Sequence, residues 1–373
     1  MILDVFDKNF VRIENIAFYS YVEYTRELNS AGSFEIQISL DDVALRIRQS
    51  GKFILFETDV LGIISYMNPT VDEDSGEKIL TIKGTLANGI LSQRCIIRTM
   101  TLSGTRTAVV RNIVNTHCVS PEDPKRSLPI VLSTNPEYIP TSAQIDTQKT
   151  GGSVEANIEE ILDEGEMGYD VVPILSQSTI TGLEFRVISG KDRTVGNSEN
   201  NVVLFSEDLR NILKSDFTYN ASAYKNMAYA AGEDSGTARV VVEAGETSST
   251  GLDRFELYID ARDVQSTTED EQQLTPEQYA ALLTERATSR LAETKIEQSY
   301  TAQIYQLNCQ YVFGQDYKLG DLVTVYDPYI DLALNTRVTA VRFTSMGEQN
   351  LIDVTFGYYK MSTSKKLKRR GVI

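Results

Sequence analysis

The 373-residue chain has no tryptophan, one histidine, three cysteines and no long apolar run. Each shortage removes a class of function. A single histidine, His117, cannot build a His-rich metal site, and no HExxH motif occurs. Cys95, Cys118 and Cys309 are widely separated and odd in number, with no CxxC. Neither a zinc ribbon nor a disulfide framework is indicated, and the three read as buried free thiols. His117 and Cys118 are neighbours, but adjacent helical residues point about 100° apart, a poor geometry for a Cys–His dyad. His117 reads as a structural or surface residue. The apolar runs at 53–56 and 240–242 fall far below the roughly 20 residues that cross a bilayer. The N-terminus carries two acids in its first seven residues and no basic segment, so it is not a secretory signal. Folding in a cytoplasm is expected.

Catalytic patterns are equally scarce. No G-x-S-x-G elbow is present. Ser189-Gly190-Lys191-Asp192 lacks the upstream glycine of a phosphate loop and has Asp where the magnesium-binding hydroxyl would stand, so it reads as a loop after a strand. Asp72-Glu73-Asp74-Ser75-Gly76 has the wrong glycine spacing for an EF-hand and reads as a solvated hairpin turn. Acids are paired at Glu159 and Glu160, at Glu164 and Glu166, and in Glu269-Asp270-Glu271. They fall on helix faces or loops, whereas a glycosidase needs two carboxylates across a cleft, usually with aromatic platforms. No catalytic, cofactor-binding or metal-ligating residue is assigned, no cofactor is expected, and a non-enzymatic chain is predicted.

What is present belongs to a folded, soluble protein: 41% hydrophobic and 24% charged residues, with 19 Tyr and 13 Phe. The length implies roughly two to three domains. The net charge is −16, yet five basic residues lie among the last nine (Lys365, Lys366, Lys368, Arg369, Arg370). Without them 31 basic residues face 52 acidic ones, a net of −21 for the body. Such a body repels a phosphate backbone, and the basic tail is expected to be solvated or to meet an acidic neighbour.

The N-terminal stretch reads as β. Residues 34–40 alternate apolar and polar, 52–57 form a near-continuous apolar run, and 62–66 and 79–82 flank the acidic loop as a hairpin. Asp41-Asp42 marks a short helix through Arg48. Leu86, Ile90 and Leu91 have helical spacing. Ser103 is expected to cap a helix bearing Val109, Val110, Ile113 and Val114, and Ser153 another bearing Ile158, Ile161 and Leu162. Pro121, Pro124 and Pro129 mark a loop between them. Strands at 169–175 and 183–189 complete an α/β middle. Strands are then expected at 202–205, 216–219, 227–231, 239–244 and 254–259. A helix capped by Thr275, with Pro276 first, should run to about 295 before strands resume to 358.

One pattern recurs. The apolar segments 51–56, 62–66 and 79–84 are echoed at 320–325, 337–341 and 352–357, and each block opens and closes near a glycine. This predicts two similar barrels separated by an α/β insertion. A trimer of such a chain would present six similar barrels in a ring.

Several segments together resemble the Gp37-like proteins of long-tailed phages and prophages, a siphovirus family similar to the baseplate hubs of contractile tails. They begin with Phe6-Asp7, Tyr24-Thr25-Arg26, Ala31-Gly32-Ser33-Phe34-Glu35, Ile63-Ile64, Leu80-Thr81-Ile82-Lys83-Gly84 and Leu91-Ser92-Gln93-Arg94. They continue with Tyr224-Lys225-Asn226, Gly251-Leu252-Asp253-Arg254, Tyr258-Ile259-Asp260-Ala261-Arg262-Asp263, Tyr317-Lys318-Leu319-Gly320-Asp321 and Val354-Thr355-Phe356-Gly357. These are turns and strand edges, and their order over about 1–358 carries the likeness.

The resemblance implies an α+β, multidomain, baseplate-hub-like protein with two similar β-barrel domains and an intervening α/β domain. The expected divisions are 1–100 for the first barrel, 101–200 for the α/β domain, 201–360 for the second barrel with inserted strands and the long helix, and 361–373 for the basic tail. It also implies a tail-tip structural subunit of the virion, at the distal end of the tail and assembled in the host cytoplasm. Expected partners are two further copies in a homotrimer, the distal tail protein, the tail tube and tape measure proteins, and a tip, spike or fibre. Phage DNA would pass through the lumen without specific binding, repelled if carboxylates line it. The alternatives are a tail-associated peptidoglycan hydrolase or endopeptidase and a receptor-binding module. Because the chain stops soon after its last expected strand, any wall-cutting module is expected on another polypeptide.

Overall fold

The computed structural model describes residues 2–71, 76–177, 179–233, 236–267, 272–304, 310–347 and 349–357. The first strands are β1 (Leu3–Phe6), β2 (Arg12–Ile16), β3 (Tyr21–Glu27) and β4 (Ser33–Ser39). In β4 the predicted alternation is visible, since Phe34, Ile36 and Ile38 are buried and the residues between them are not. Helix α1 (Asp42–Ser50) starts where Asp41 accepts the Ala44 N–H. An antiparallel meander of β5 (Phe53–Glu57), β6 (Val60–Val71) and β7 (Lys78–Leu86) follows. Most of the acidic loop, 72–75, lies outside the described residues. Ile90 and Leu91 are buried in a 3-10 turn, Ala87–Gln93, not in an α-helix.

The middle region comprises β8 (Met100–Thr105), α2 (Arg106–Val114), β9 (Ile130–Leu132), β10 (Gln144–Lys149), α3 (Val154–Asp163), β11 (Gly168–Ser176) and β12 (Thr179–Ile188). The helix expected to start at Ser103 starts at Arg106. Ser103 pairs with Asp146 in the β8–β10 ladder, and Thr105 is the residue that accepts the Ala108 N–H. Ser153 caps α3 as expected. Apolar faces of α2 and α3 (Val110, Ile113, Ile158, Ile161) pack on β11 and β12 (Tyr169, Phe185). Phe6, Phe53, Leu61 and Ile63 join this core from the N-terminal strands.

Beyond residue 200 come β13 (Leu204–Ser206), β14 (Ile212–Asn220), β15 (Met227–Ala231), β16 (Val241–Gly245) and β17 (Glu256–Asp260). Helix α4 (Pro276–Ala292) precedes β18 (Glu297–Ile304), β19 (Leu322–Asp327), β20 (Leu332–Met346) and β21 (Gln349–Gly357). A reciprocal Thr275–Gln278 capping box starts α4, which ends at Ala292, short of the expected 295. Tyr279, Leu282, Leu283 and Ala287 of α4 cover Ala228, Ala230 and Ile259 of the β16-β15-β17 sheet. This unit is inserted between β14 and β18, which pair with each other.

The other strands form one sheet in the order β14-β18-β21-β20-β3-β4-β7-β6-β5-β1-β2, with β13 joined to β19 and β19 to β20. The sheet bends into two curls, each around its own core. Leu3 and Ile16, at one end of the first curl, share a core with Val22 and Tyr24 at the other. Phe205 of β13 and Ile212 of β14, at opposite ends of the second, do likewise. The expectation of two barrels is corrected here. Among the described residues no strand pairing closes either curl, and the two are continuous because β20 pairs with β3.

Candidate assembly surface

The two curls repeat one strand order. The path β3-β4-β7-β6-β5-β1 in the first matches β14-β18-β21-β20-β19-β13 in the second. The long strand of each carries a bulge, between Ile64 and Tyr66 in β6 and between Val338 and Ala340 in β20. Anchored on the bulges, Tyr66 corresponds to Ala340 and Lys83 to Thr355. Following the ladders outward, Glu35 corresponds to Thr301 and Glu23 to Asp216. The same superposition aligns the cross-strand pair Tyr24–Phe34 with the pair Phe217–Tyr300. Each aromatic pair belongs to the core of its own curl, so the repeat extends to residue type at this register position. The final strands differ, since β1 is antiparallel to β5 whereas β13 is parallel to β19.

A bulge adds one residue, bends its strand and increases the twist, so one strand can serve two neighbours in succession. In β20, residues 332–337 pair with β19 and residues 340–345 with β3. In β6, residues 60–63 pair with β5. The corresponding second half, residues 67–71, meets β7 on one side and, among the described residues, no strand on the other. The outer edge of β14 over 215–219 is likewise unmatched.

The β3–β20 junction shows what such an edge can hold. Leu28 donates its N–H to the Thr339 carbonyl at 2.9 Å, and Tyr24 stacks on Phe343 with centroids 4.8 Å apart. Arg26 reaches Asp59 at 3.0 Å and Asp170 of β11 at 2.9 Å. Burial works against the Arg26 charge, but Asp170 and Asp59 outweigh it and hold its pKa above the ordinary value. Burial raises the Asp170 carboxyl, against the pull of Arg26. A second, partly buried contact joins the middle region to the inserted unit, where Glu160 of α3 meets Lys149 at 3.1 Å and Ser289 of α4 at 2.7 Å. Burial pushes Glu160 up, yet Lys149 and the Ser289 hydroxyl overcome this and hold it at about 2.

The residues weighed for chemistry are placed apart. His117 is buried, its Nε2 3.0 Å from the Met100 sulfur, and burial followed by Arg126 lowers its pKa. Burial pushes the Cys118 thiol up to about 11, away from a reactive thiolate. Cys95 is exposed, contrary to expectation, and Cys309 lies outside the described residues. Gly190 has φ +69°, and a Cβ there would stand 1.9 Å from the Gly320 carbonyl oxygen. Lys191 N–H donates to Asp321 at 2.7 Å, and Asp321 also pairs with Arg193. The loop thus packs two chain segments and leaves no cradle for phosphate. Glu159 accepts from the Tyr169 hydroxyl and Glu164 pairs with Arg106. Glu269-Asp270-Glu271 and the basic tail lie outside the described residues. Among those described, no group of His, Cys, Asp or Glu is placed to hold a metal, and no helix is long and apolar enough to cross a membrane.

Sequence reading missed the two open edges and Arg26. Pro69 on an otherwise apolar-polar strand was the available signal for an edge, whereas nothing local announces a partner 144 residues away.

The family described as Siphovirus ReqiPepy6 Gp37-like protein matches residues 2–358, and the chain belongs to that family. No curated protein matches it. Among solved structures, prophage tail protein gp18 from Listeria monocytogenes EGD-e is similar with a TM-score of 0.53 at 11% identity, covering 99% of this chain and 98% of its own. The 43 kDa tail protein of prophage MuSo2 from Shewanella oneidensis gives 0.52 at 10% identity, covering 95% and 98%. A tail protein from Neisseria meningitidis MC58 gives 0.50 at 15% identity, covering 95% of both chains. At these identities the likeness is one of fold.

Proposed function

We propose that this chain is a structural subunit of a phage tail, a hub at the tail tip in which three copies close a ring. The observation that carries the reading is the repeated strand order, which gives each subunit two quasi-equivalent curls. Three copies then offer six similar surfaces to a sixfold tube and distal tail protein. The inserted unit and middle region, present once per subunit, leave the other face threefold for a tip, spike or fibre. A closed ring satisfies every subunit contact, which an open arrangement does not. In this reading 1–100 and 201–360 are the two hub domains, 101–200 lies between them, and 361–373 is a basic extension. The tape measure protein and DNA occupy the lumen, and no catalytic step is assigned to the chain.

Membership of the Gp37-like family and the shared fold with three tail proteins support this reading. Mass measurement in solution, with averaging of the assembled particle, tests it. Three copies per ring are expected, and a hexamer or a lasting monomer would overturn it. A zymogram on the purified protein is expected to show no clearing of peptidoglycan, and a clearing zone would replace the structural reading with the hydrolase.

A further inference from the structure

We infer that subunits join by strand pairing, the outer edge of β14 at residues 215–219 adding antiparallel to residues 67–71 of β6 in the next copy. The inference rests on the ring reading and names its contact. Its warrant is the repeat. Within one chain, the first strand of the first curl, β3, pairs with the second half of the bulged strand of the other curl, β20. The equivalent strands, β14 and β6, are the ones with matching edges open among the described residues. Repeating the internal junction between copies satisfies both edges with one geometry.

The register follows residue by residue. The internal ladder pairs Val341 with Arg26, Arg342 with Thr25, Phe343 with Tyr24, Thr344 with Glu23 and Ser345 with Val22. Through the bulge-anchored correspondence this becomes Met67 with Tyr219, Asn68 with Thr218, Pro69 with Phe217, Thr70 with Asp216 and Val71 with Ser215. The surface fits the role. Residues 67–71 carry no charge, although charged side chains are a common device for blunting an open edge. Tyr219 and Val71 are 57% and 59% exposed, so apolar area waits at both strands.

Pro69 constrains the ladder. Leu40 donates to Lys78 across β4 and β7, so by alternation Leu80 also turns its backbone to β4. Its partner Pro69 therefore faces away from β7, toward the open edge. Having no N–H, Pro69 can accept from Phe217 but cannot donate in return. The edge is pairable yet weakened, which disfavours indiscriminate pairing before the correct copy arrives.

Cysteine cross-linking tests the register. Asn68 and Thr218 fall at a pair without direct hydrogen bonds, where Cα atoms lie about 4.5 Å apart, within disulfide reach of roughly 4.4–6.8 Å. In a Cys95→Ser, Cys309→Ser background, the full chain bearing Asn68→Cys and Thr218→Cys should oxidise to one covalent trimer on a denaturing gel. Either substitution alone should leave monomers. A three-copy particle by mass that gives no covalent trimer overturns the strand pairing and leaves the ring standing. Covalent ladders growing beyond three copies support the pairing and overturn the trimeric ring. A chain that stays monomeric at high concentration and does not cross-link overturns both. Tyr219→Lys gives a second handle, expected to weaken self-association at least tenfold; an unchanged association constant overturns the pairing.

Discussion

The first curl is nearly bare and the second is heavily decorated. Between β3 and β4 the first curl has a short turn, whereas between the equivalent β14 and β18 the second carries three strands and a 17-residue helix. Strand order and bulge position nonetheless agree. The ladder is set by strand-to-strand register and by which face is buried, because a one-residue slip would turn every apolar side chain to solvent. An insertion at a hairpin end changes neither, since its ends remain side by side in the β14–β18 pair. The curls differ in a second way. The β3 edge is covered within the chain, and the β14 edge, among the described residues, is not.

The largest effect is expected at the covered edge. Arg26→Ala removes the cation between Asp59 and Asp170 and leaves the largely covered Asp170 carboxylate without its partner. Loss of a buried ion-pair partner costs about 3–5 kcal/mol, and urea unfolding followed by far-UV circular dichroism should show it. Tyr219→Ala at the open edge of β14 should leave the isolated chain within about 0.5 kcal/mol, as surface changes do. A loss for Tyr219→Ala as large as that for Arg26→Ala would mean that Tyr219 is not at the surface of the isolated chain.

Phe343→Ala comes next. Phe343 stacks on Tyr24, meets Phe313 at 5.6 Å and packs against the cores of both curls, so it links them mechanically. As it is only partly buried, a loss of about 2–4 kcal/mol is expected, toward the lower part of the range for aromatic truncation. Because the link is shared, the transition should also broaden as the curls unfold less cooperatively. A sharp single transition with an unchanged midpoint would show that the curls do not depend on this contact.

Much of the first curl can be read locally, and its coupling to the second cannot. The apolar echo at 51–56, 62–66 and 79–84 lands on β5, β6 and β7, and its counterpart lands on β19, β20 and β21. Thr275 and Pro276 announce α4 because capping chemistry is local. Ser103 misled for the same reason. Ser103 and Thr105 both have cap hydroxyls and both pair with β10, a distant strand, but Ser103 lies inside that ladder and Thr105 ends it, so the helix starts after Thr105. The join of β3 to β20 leaves no local mark either, since any alternating strand offers the same backbone groups to a partner. The expectation of two separate barrels did not include this continuity. As for the assembly surface, Pro69 was visible as a residue, but its outward orientation depends on the β7 register.

The contact between Lys149, Glu160 and Ser289 ties the decoration of the second curl to the middle region, and its stabilising effect depends on pH. Glu160 is held at about 2, below its ordinary value near 4.5. A depressed carboxyl contributes above its unfolded pKa and loses that contribution as pH falls toward the folded one. Wild type should therefore lose stability relative to Glu160→Gln between about pH 4.5 and 2. At pH 7 the variant should be weaker by about 1–3 kcal/mol. Chemical unfolding of both proteins at pH 7 and pH 3 measures the difference, and a gap that does not narrow at pH 3 would contradict the depressed carboxyl.

The smallest effect, and the most discriminating, belongs to Pro69→Ala. At the equivalent position of the covered edge stands Phe343, whose backbone can both donate and accept. Restoring an N–H at 69 makes the open edge more like the covered one. For the isolated chain the change loosens the unfolded state and costs about 0.4–1 kcal/mol. In the assembly it supplies one hydrogen bond worth about 0.5–1.5 kcal/mol, so self-association should tighten by about two- to tenfold. The two effects have opposite signs, which a general loss of structure cannot imitate. Sedimentation and thermal unfolding on the same samples read them separately. If association weakens in step with stability, residues 67–71 are a solvent edge and the likeness between the curls ends at the bulge.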